Sequence, residues 1–194
     1  MKEIVVKKNV YGGKNFLVNA KDGTNTSLKT WFYVCATERG LQFKIQGAAE
    51  ELYAPYTGIH PFEPVWIGDV MEVFLSPNAD ETWYFEFNHA PNGSCFYAKI
   101  YNPDGLAAFS RGMEEFDTEK KITVENGVWT TEFVIPYDVV VKDGDFEKAK
   151  GMAWSFNVYR IDHKNDEYLA FSPVNMQQVS FHVPSKFAKL IIEE

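Results

Sequence analysis

The 194-residue sequence contains only two cysteines, Cys35 and Cys95, so no disulfide framework can hold the chain together. Both stand in apolar, strand-like stretches, which favours buried free thiols, although one bridge between them stays open. Glycine and proline number 13 and 9 residues, too few for a collagen-like or low-complexity chain. No apolar run approaches the ~18 residues of a membrane-spanning helix. The sequence therefore predicts a globular protein without a membrane partner.

Basic residues are also scarce. Lysine and arginine number 19 against 27 aspartates and glutamates, which gives a formal net charge of −8. The basic residues are dispersed, so a nucleic-acid partner is not expected, because phosphates require a basic patch. The first residues, MKEIVVKK, lack the apolar core of a secretory signal. We expect a cytoplasmic protein for the chain as given, and a secreted one if the chain is a processed fragment.

Common catalytic and metal-binding motifs are missing. The sequence has no glycine-rich phosphate loop and no G-x-S-x-G elbow, and its four histidines match no zinc spacing. These absences disfavour nucleotide enzymes, serine hydrolases and zinc sites. No cofactor is required by any motif. The oxygen-rich turns at residues 102–105 and 143–145 could hold structural calcium, but each is also explained as an ordinary turn.

Period-two alternation of apolar and polar residues dominates what is present. Trp83, Phe85 and Phe87 fall on one face of a strand, opposite Tyr84, Glu86 and Asn88, and the same habit recurs at residues 41–46, 129–135 and 154–159. Asn126-Gly127 between two such runs predicts a hairpin. Short helical turns are expected near residues 48–53 and 146–150. The pattern predicts one all-β domain over residues 1–194, an antiparallel β-sandwich that is jelly-roll-like and immunoglobulin-like in outline.

Three long segments, at residues 47–68, 101–120 and 161–185, are expected to be binding loops on this sandwich. Two carboxylates on predicted strands, Glu72 and Glu86, form a candidate pair. A glycosidase needs two carboxyl groups ~5–9.5 Å apart, and adjacent strands can supply that separation. A sandwich enzyme that cleaves glycosides with Glu72 and Glu86 is therefore an alternative function.

Four stretches, WIGDVMEVFL (residues 66–75), YFEFN (84–88), WSFNVYRID (154–162) and FHVPSKF (181–187), occur in a characteristic order. Together they make the chain, from about residue 31 to 190, resemble carbohydrate-binding module family 9. The resemblance implies a distorted antiparallel β-sandwich that binds a mono- or oligosaccharide without catalysis. It also implies that structural calcium is possible.

The resemblance further implies a set of binding residues. Two family tryptophans sandwich a sugar ring, and the first precedes a glutamate by six residues, as Trp66 precedes Glu72 here. Phe181 stands in place of the second tryptophan. Asn157 matches the family, whereas Glu86, Tyr159 and Gln178 replace a family arginine, glutamine and asparagine. These departures leave the fold expectation intact and leave the identity of the sugar open.

The resulting hypothesis is physical as well as comparative. A pyranose ring has an apolar face of C–H groups that gains hydrophobic and dispersion energy on an aromatic ring. Its hydroxyl groups then require fixed donors and acceptors. The sequence therefore predicts a sugar site built from Trp66, Glu72, Glu86, Asn157, Tyr159, Gln178 and Phe181. A haem-binding sandwich is a third possibility, although no methionine has a marked spacing to a histidine.

Overall fold

The computed structural model describes residues 2–56, 63–103, 109–112 and 119–194, with backbone only for residues 109–112. Strands dominate these residues because the alternating segments each place one apolar face inward. In chain order the strands are β1 (Glu3–Lys7), β2 (Asn15–Phe16), β3 (Val18–Asn19), β4 (Thr30–Ala36), β5 (Gly40–Ala48), β6 (Val70–Pro77), β7 (Trp83–His89), β8 (Cys95–Tyr101), β9 (Phe109–Gly112), β10 (Lys120–Glu125), β11 (Val128–Pro136), β12 (Trp154–Asp162), β13 (Glu167–Ala170) and β14 (Ala188–Glu193).

The strands form two sheets. The large sheet has the order β1-β14-β12-β6-β7-β8-β9, and β13 pairs with both β12 and β3. The small sheet has the order β10-β11-β5-β4-β2. Every ladder described is antiparallel except that between β1 and β14. The predicted antiparallel β-sandwich is confirmed.

An aromatic core fills the space between the sheets. Phe32 and Phe43 of the small sheet meet Phe156 of the large sheet, with ring centroids 6.0 and 6.2 Å apart. All three side chains are fully buried. The core is therefore made by the inward faces that the alternation identified, and burial of these large apolar groups is the main favourable term in folding.

Local turn chemistry agrees with the sequence in two of three places. Asn126 and Gly127 join β10 to β11 with positive φ angles of 52° and 73°, as a tight hairpin requires. A short helix α2 spans Phe146–Lys150, where Asp145 caps it by accepting a hydrogen bond from the amide of Lys148 at 2.8 Å. The helical turn expected at residues 48–53 is wrong, because Glu51 has a φ of 48° and the amide of Ala49 donates to the carbonyl of Gly127.

The remaining short elements are helix α1 (Tyr137–Val140) and two 3₁₀ turns, at Val65–Ile67 and Pro184–Lys186. Among the described residues, no helix is long and apolar enough to cross a membrane. Both cysteines are buried free thiols, Cys35 on β4 of the small sheet and Cys95 on β8 of the large one. The interpretation that both cysteines are buried free thiols is confirmed.

A second apolar cluster, which we call the outer core, lies on the face of the large sheet that points away from the small sheet. Its members share the outward register of β6, β7, β8 and β12 or sit on the segment that covers them, and include Phe74, Tyr84, Phe96, Tyr159, Phe181 and Phe187. The segment after β13 covers part of this face. Both faces of the large sheet are thus buried, and this burial creates the floor of the site described below.

Gly47 on β5 provides a test of how closely the two sheets pack. A Cβ atom at this position would lie 2.3 Å from Nη1 of Arg160 and 2.9 Å from Oγ1 of Thr30. We expect Gly47→Ala to lower the free energy of unfolding by about 1–3 kcal/mol, the usual cost of overpacking a core. Urea unfolding measures this, with Gly13→Ala as the matched control, since nothing lies within 4 Å of a Cβ there. Equal losses in both variants would contradict the packing described.

Candidate functional site

A pocket of about 370 Å³ opens on the outer core of the large sheet. It is a mixed surface of aromatic rings, aliphatic side chains and a few polar groups, which is typical of sites for small organic ligands. Its lining consists of Trp66, Glu72, Phe74, Glu86, Phe96, Ile100, Ile161, Tyr168, Val179, Ser180, Phe181 and His182.

Trp66 forms part of the pocket rim and is 40% exposed. It lies in the 3₁₀ turn Val65–Ile67, whose first residue, Val65, is buried and fixes the turn on the outer core. The indole contacts the ring of Phe96 edge-on, with centroids 4.7 Å apart and an interplanar angle of 74°. One aromatic neighbour therefore orients the indole while much of its surface stays open to solvent.

The backbone after Trp66 is held by Asp69, which is buried. Its carboxylate accepts hydrogen bonds from the amides of Tyr53 and His163, the latter at 3.2 Å, and its own amide donates to the carbonyl of Tyr53 at 2.7 Å. Gly68 is required here because a Cβ would lie 2.5 Å from that same carbonyl. These contacts join three loop segments, so the position of Trp66 is set by hydrogen bonds as well as by packing.

Phe181 lines the pocket from a mostly buried position. Its ring is stacked on that of Tyr159 with a centroid distance of 4.1 Å and an interplanar angle of 10°. The hydroxyl of Tyr159 donates to the carbonyl of Phe181 at 3.1 Å. Tyr159 itself is fully buried and does not line the pocket. The tyrosine therefore supports the phenylalanine from below in this structure.

Glu72 and Glu86 lie on the outward faces of the neighbouring strands β6 and β7. The register pairs Glu72 with Asn88, and Phe74 with Glu86, so the two glutamates are diagonal neighbours. They are 2% and 6% exposed. Burial raises the pKa of Glu86 to about 7, opposed in part by a hydrogen bond of 2.7 Å that it accepts from the Asn88 amide. Burial and then the charge of Glu86 raise the pKa of Glu72 well above its ordinary value.

His182 completes the polar side of the pocket. The amide of Asn102 donates to the hydroxyl of Tyr84 at 3.3 Å, so the tyrosine proton is free to be donated to Nδ1 of His182, 2.8 Å away. In the tautomer that accepts this proton, Nε2 of His182 carries the hydrogen, and it lies 3.9 Å from Oε2 of Glu86. Burial lowers the pKa of His182 to about 4, so the ring is neutral near pH 7 and the contact with Glu86 is not an ion pair.

Four of the seven residues predicted for the site line one pocket, namely Trp66, Glu72, Glu86 and Phe181. Asn157 is buried and clamps the segment after β13, since its side chain donates to the carbonyl of Ser172 at 2.8 Å and accepts from the Ser172 amide at 2.9 Å. Gln178 is exposed, and only the following Val179 and Ser180 reach the lining. His60, in the first predicted binding loop, lies outside the described residues.

Phe96, Tyr168 and His182 also line the pocket, and none of them is among the seven residues predicted from the sequence. A signal existed for His182, which follows Phe181 directly in the FHVPSKF stretch. For Phe96 the only signal is strand alternation, which places it on the outward face of β8 together with Ala98 and Ile100. Which outward residues border an opening depends on the loops above them, and the alternation contains no such information.

Metal ligands are not assembled in the part of the chain that is described: no group of three or more histidine, cysteine, aspartate or glutamate side chains could hold a metal ion there. Of the two turns considered for calcium, the one at 143–145 uses Oδ1 of Asp145 to cap helix α2. Asp104 and Gly105 of the other turn lie outside the described residues. One carboxylate oxygen of Asp145 is therefore engaged within the protein, and structural calcium at these turns stays a prediction.

The buried carboxyl of Glu86 predicts a pH dependence of stability. Because its pKa is raised in the folded state to about 7 from about 4.5, it favours folding fully below pH 4.5, and this contribution is lost as the pH rises through about 7. Relative to Glu86→Gln, the wild-type free energy of unfolding should fall by roughly 3 kcal/mol between pH 4.5 and pH 8. Urea unfolding at several pH values measures this difference. Parallel curves for the two proteins would show that Glu86 is not desolvated.

Comparisons with known proteins agree with this architecture. The family model described as carbohydrate-binding family 9 matches residues 24–192. A relative from Arthroderma benhamiae, described as an extracellular protein, is 25% identical over 177 residues, which cover 84% of this chain and 78% of that protein.

Solved structures with low sequence identity share the fold. A candidate carbohydrate-binding protein from Bacteroides uniformis has a TM-score of 0.79 at 17% identity, with 99% of each chain covered. A family 9 carbohydrate-binding module from Caldicellulosiruptor kristjanssonii has TM-scores of 0.64 in complex with cellotriose and 0.62 in complex with glucose. The identities are 13% and 14%, and the alignments cover 99% of this chain and 94% and 96% of the others.

Proposed function

Because the chain belongs to carbohydrate-binding family 9, we propose that its pocket binds a sugar ring between Trp66 and Phe181 and breaks no bond. The observation that carries this proposal is the half-exposed indole of Trp66 beside a pocket that also contains Phe181 and two buried carboxyl groups. An indole that is 40% exposed at a pocket rim offers flat apolar surface to a ligand. The C–H face of a pyranose is a ligand surface of matching shape and polarity.

The two aromatic residues have different roles in this proposal. Trp66 is the exposed platform, and stacking on it removes apolar area from water at about 25 cal/mol per Å². Phe181 is rigid because Tyr159 covers it by parallel stacking and by the hydrogen bond to its carbonyl. A rigid second ring costs little entropy when the ligand binds. Tyr159 then supports the ring of Phe181. Phe181 in turn provides an aromatic contact at the position where the family has its second tryptophan.

The polar groups of the pocket form hydrogen bonds with the hydroxyl groups of the sugar. Glu72 and Glu86 accept hydrogen bonds when ionised and donate one when protonated, and Nε2–H of His182 is a donor. The separation of 3.9 Å between Nε2 of His182 and Oε2 of Glu86 is too long for a direct hydrogen bond. One ligand hydroxyl can accept from the imidazole and donate to the carboxylate at the same time. Asn157 contributes by fixing the segment that leads towards Gln178 and Phe181.

Short glucose-based ligands are the first candidates, because the similar module from Caldicellulosiruptor kristjanssonii was solved with cellotriose and with glucose. The pocket volume of about 370 Å³ suits one or two sugar rings rather than an extended chain. The Arthroderma benhamiae relative is described as an extracellular protein. We propose the same extracellular location for this protein. The cytoplasmic location expected from the first residues gains no support from this relative.

Calorimetric titration with glucose and cellotriose tests the proposal. We expect saturable binding to one site with modest affinity, because little area is buried per sugar ring. A glycan array run alongside extends the search to other sugars and linkages. Absence of binding to both sugars and to every arrayed glycan would contradict the proposal.

A turnover assay distinguishes the enzymatic alternative from sugar binding without catalysis. Glu72 and Glu86 lie together in the pocket, so hydrolysis by this pair predicts release of product from aryl glycosides that disappears in Glu72→Gln. We expect no release above background in either protein, because the pocket is proposed to bind sugar without chemistry. Turnover that is lost in Glu72→Gln would establish the enzyme instead.

A further inference from the structure

The polar floor of the pocket has an excess of hydrogen-bond acceptors. Glu72 is 2% exposed, and its carboxyl group has no hydrogen-bond partner among the described residues. Asn88, directly across the ladder from Glu72, donates its amide to Glu86, and its own Oδ1 is buried with no donor within reach among the described residues. When both glutamates are ionised, three acceptor groups therefore lie side by side on β6 and β7 with a single internal donor between them.

Positive charge is absent from the described lining of this pocket. It contains no lysine or arginine, and its one histidine is held neutral by burial. Elsewhere in the molecule a buried charge has a partner, as Arg160 has Asp162 at 3.7 Å. A buried carboxylate without a partner is costly, and the cost is relieved either by a proton or by a cation that enters with a ligand.

We propose that this pocket selects sugars that carry a protonated amine, such as glucosamine, over neutral sugars with the same ring. The inference rests on the proposed function, since it assumes that a sugar ring occupies the pocket. An ammonium group supplies three N–H donors and one positive charge. It therefore supplies the donors and the cation that Glu72 and Glu86 lack, and charge-assisted hydrogen bonds of this kind are stronger than neutral ones.

The proposal also predicts what the pocket rejects. N-acetylglucosamine keeps the ring and the nitrogen but loses the charge, so it should bind no better than glucose. Glucuronate places a carboxylate beside the two glutamates and should bind more weakly than either, since like charges in a desolvated site repel. The net charge of −8 on the whole chain also attracts a cationic ligand and repels an anionic one, so a titration at high salt is needed to isolate the effect of the pocket.

The test is calorimetric titration at about pH 7, where the Glu86 carboxyl with its pKa of about 7 is partly ionised, and at high salt, with glucosamine, glucose, N-acetylglucosamine and glucuronate. We expect glucosamine to bind about tenfold tighter than glucose, the gain typical of a charge-assisted hydrogen bond over a neutral one. In Glu86→Gln and in Glu72→Gln this preference should fall to about threefold or less. Glu81→Gln, an exposed site outside the pocket with the same loss of charge, should keep it.

The outcomes separate this inference from the proposed function. Equal or tighter binding of glucose by the wild-type protein would overturn the inference and leave the sugar site standing. A preference for glucosamine that persists in both pocket variants, or that is lost in Glu81→Gln, would also overturn it. If the protein binds none of the four sugars and does not bind cellotriose, both the inference and the proposed function are overturned. Because the ligand comparison uses the wild-type protein, the inference is testable even if a pocket variant does not fold.

Discussion

Replacing Trp66 with alanine is expected to abolish measurable sugar binding and to leave the melting temperature nearly unchanged. The indole is 40% exposed and contacts Phe96 only edge-on, so its removal opens no cavity in the core. It would be the platform for the sugar ring, and truncating a central aromatic anchor usually costs at least about 2 kcal/mol of binding free energy. That loss corresponds to roughly 30-fold in affinity, enough to place a modest affinity beyond detection by calorimetry.

A second tryptophan provides the matched control. Trp83 is 41% exposed, also lies beside one aromatic neighbour, Tyr101, at a centroid distance of 4.4 Å, and is absent from the pocket lining. Trp83→Ala should therefore bind sugar as the wild type does. Retained binding in Trp66→Ala would show that Trp66 is not the stacking surface. Loss of binding in Trp83→Ala would place that surface at Trp83, where strand β7 begins. A large fall in melting temperature for Trp66→Ala would show that the indole is structural.

Arg160→Met is expected to lower the free energy of unfolding by about 3–5 kcal/mol, the largest stability change expected of any single substitution discussed. The guanidinium is completely buried, donates to Thr30 Oγ1 at 3.1 Å and to the carbonyl of Ala48 at 2.8 Å, and lies 3.7 Å from Asp162. It also lies over the ring of Trp129. Methionine fills similar space but leaves the buried carboxylate of Asp162 without its cation, with only the hydrogen bonds from Asn165. It also removes a donor from Thr30 Oγ1 and from the Ala48 carbonyl.

Urea unfolding measures this loss, and Lys164→Met is the control. Lys164 pairs with Glu51 at the surface, and an exposed ion pair contributes at most about 1 kcal/mol. Similar small losses in both variants would mean that Arg160 is solvated or easily replaced, contrary to its position between the sheets. Sugar binding per folded molecule should persist in Arg160→Met, because Arg160 faces away from the pocket.

The sequence predicted the inward face of the sandwich well, for a physical reason. Alternation on β7 placed Phe85 and Phe87 on one face, and both are buried between the sheets. Trp83 shares their register but is exposed, because it stands at the end of the strand. Period-two patterns report which side chains share a face, and they do not report how far the opposing sheet extends.

The burial of the outward face of the same strand was not predictable from the sequence. The alternation placed Tyr84, Glu86 and Asn88 on the face opposite the core, yet all three are buried because other segments cover the large sheet. The covering comes from contacts between residues far apart in sequence, such as Tyr84 with His182. Local patterns contain no information on such contacts. For the same reason the sequence could not distinguish Phe181, which lines the pocket, from Gln178, which lies outside it.

The most direct test of the central claim is a crystal structure of the protein soaked with cellotriose or with the sugar that binds most tightly in solution. The claim predicts electron density for a sugar ring in the pocket, with one face on the indole of Trp66 and its hydroxyl groups within hydrogen-bond distance of Glu72, Glu86 or His182. Density for the sugar at another aromatic surface, such as Trp83 with Tyr101 or Phe16 with Trp31, and an empty pocket in the same crystal would contradict it.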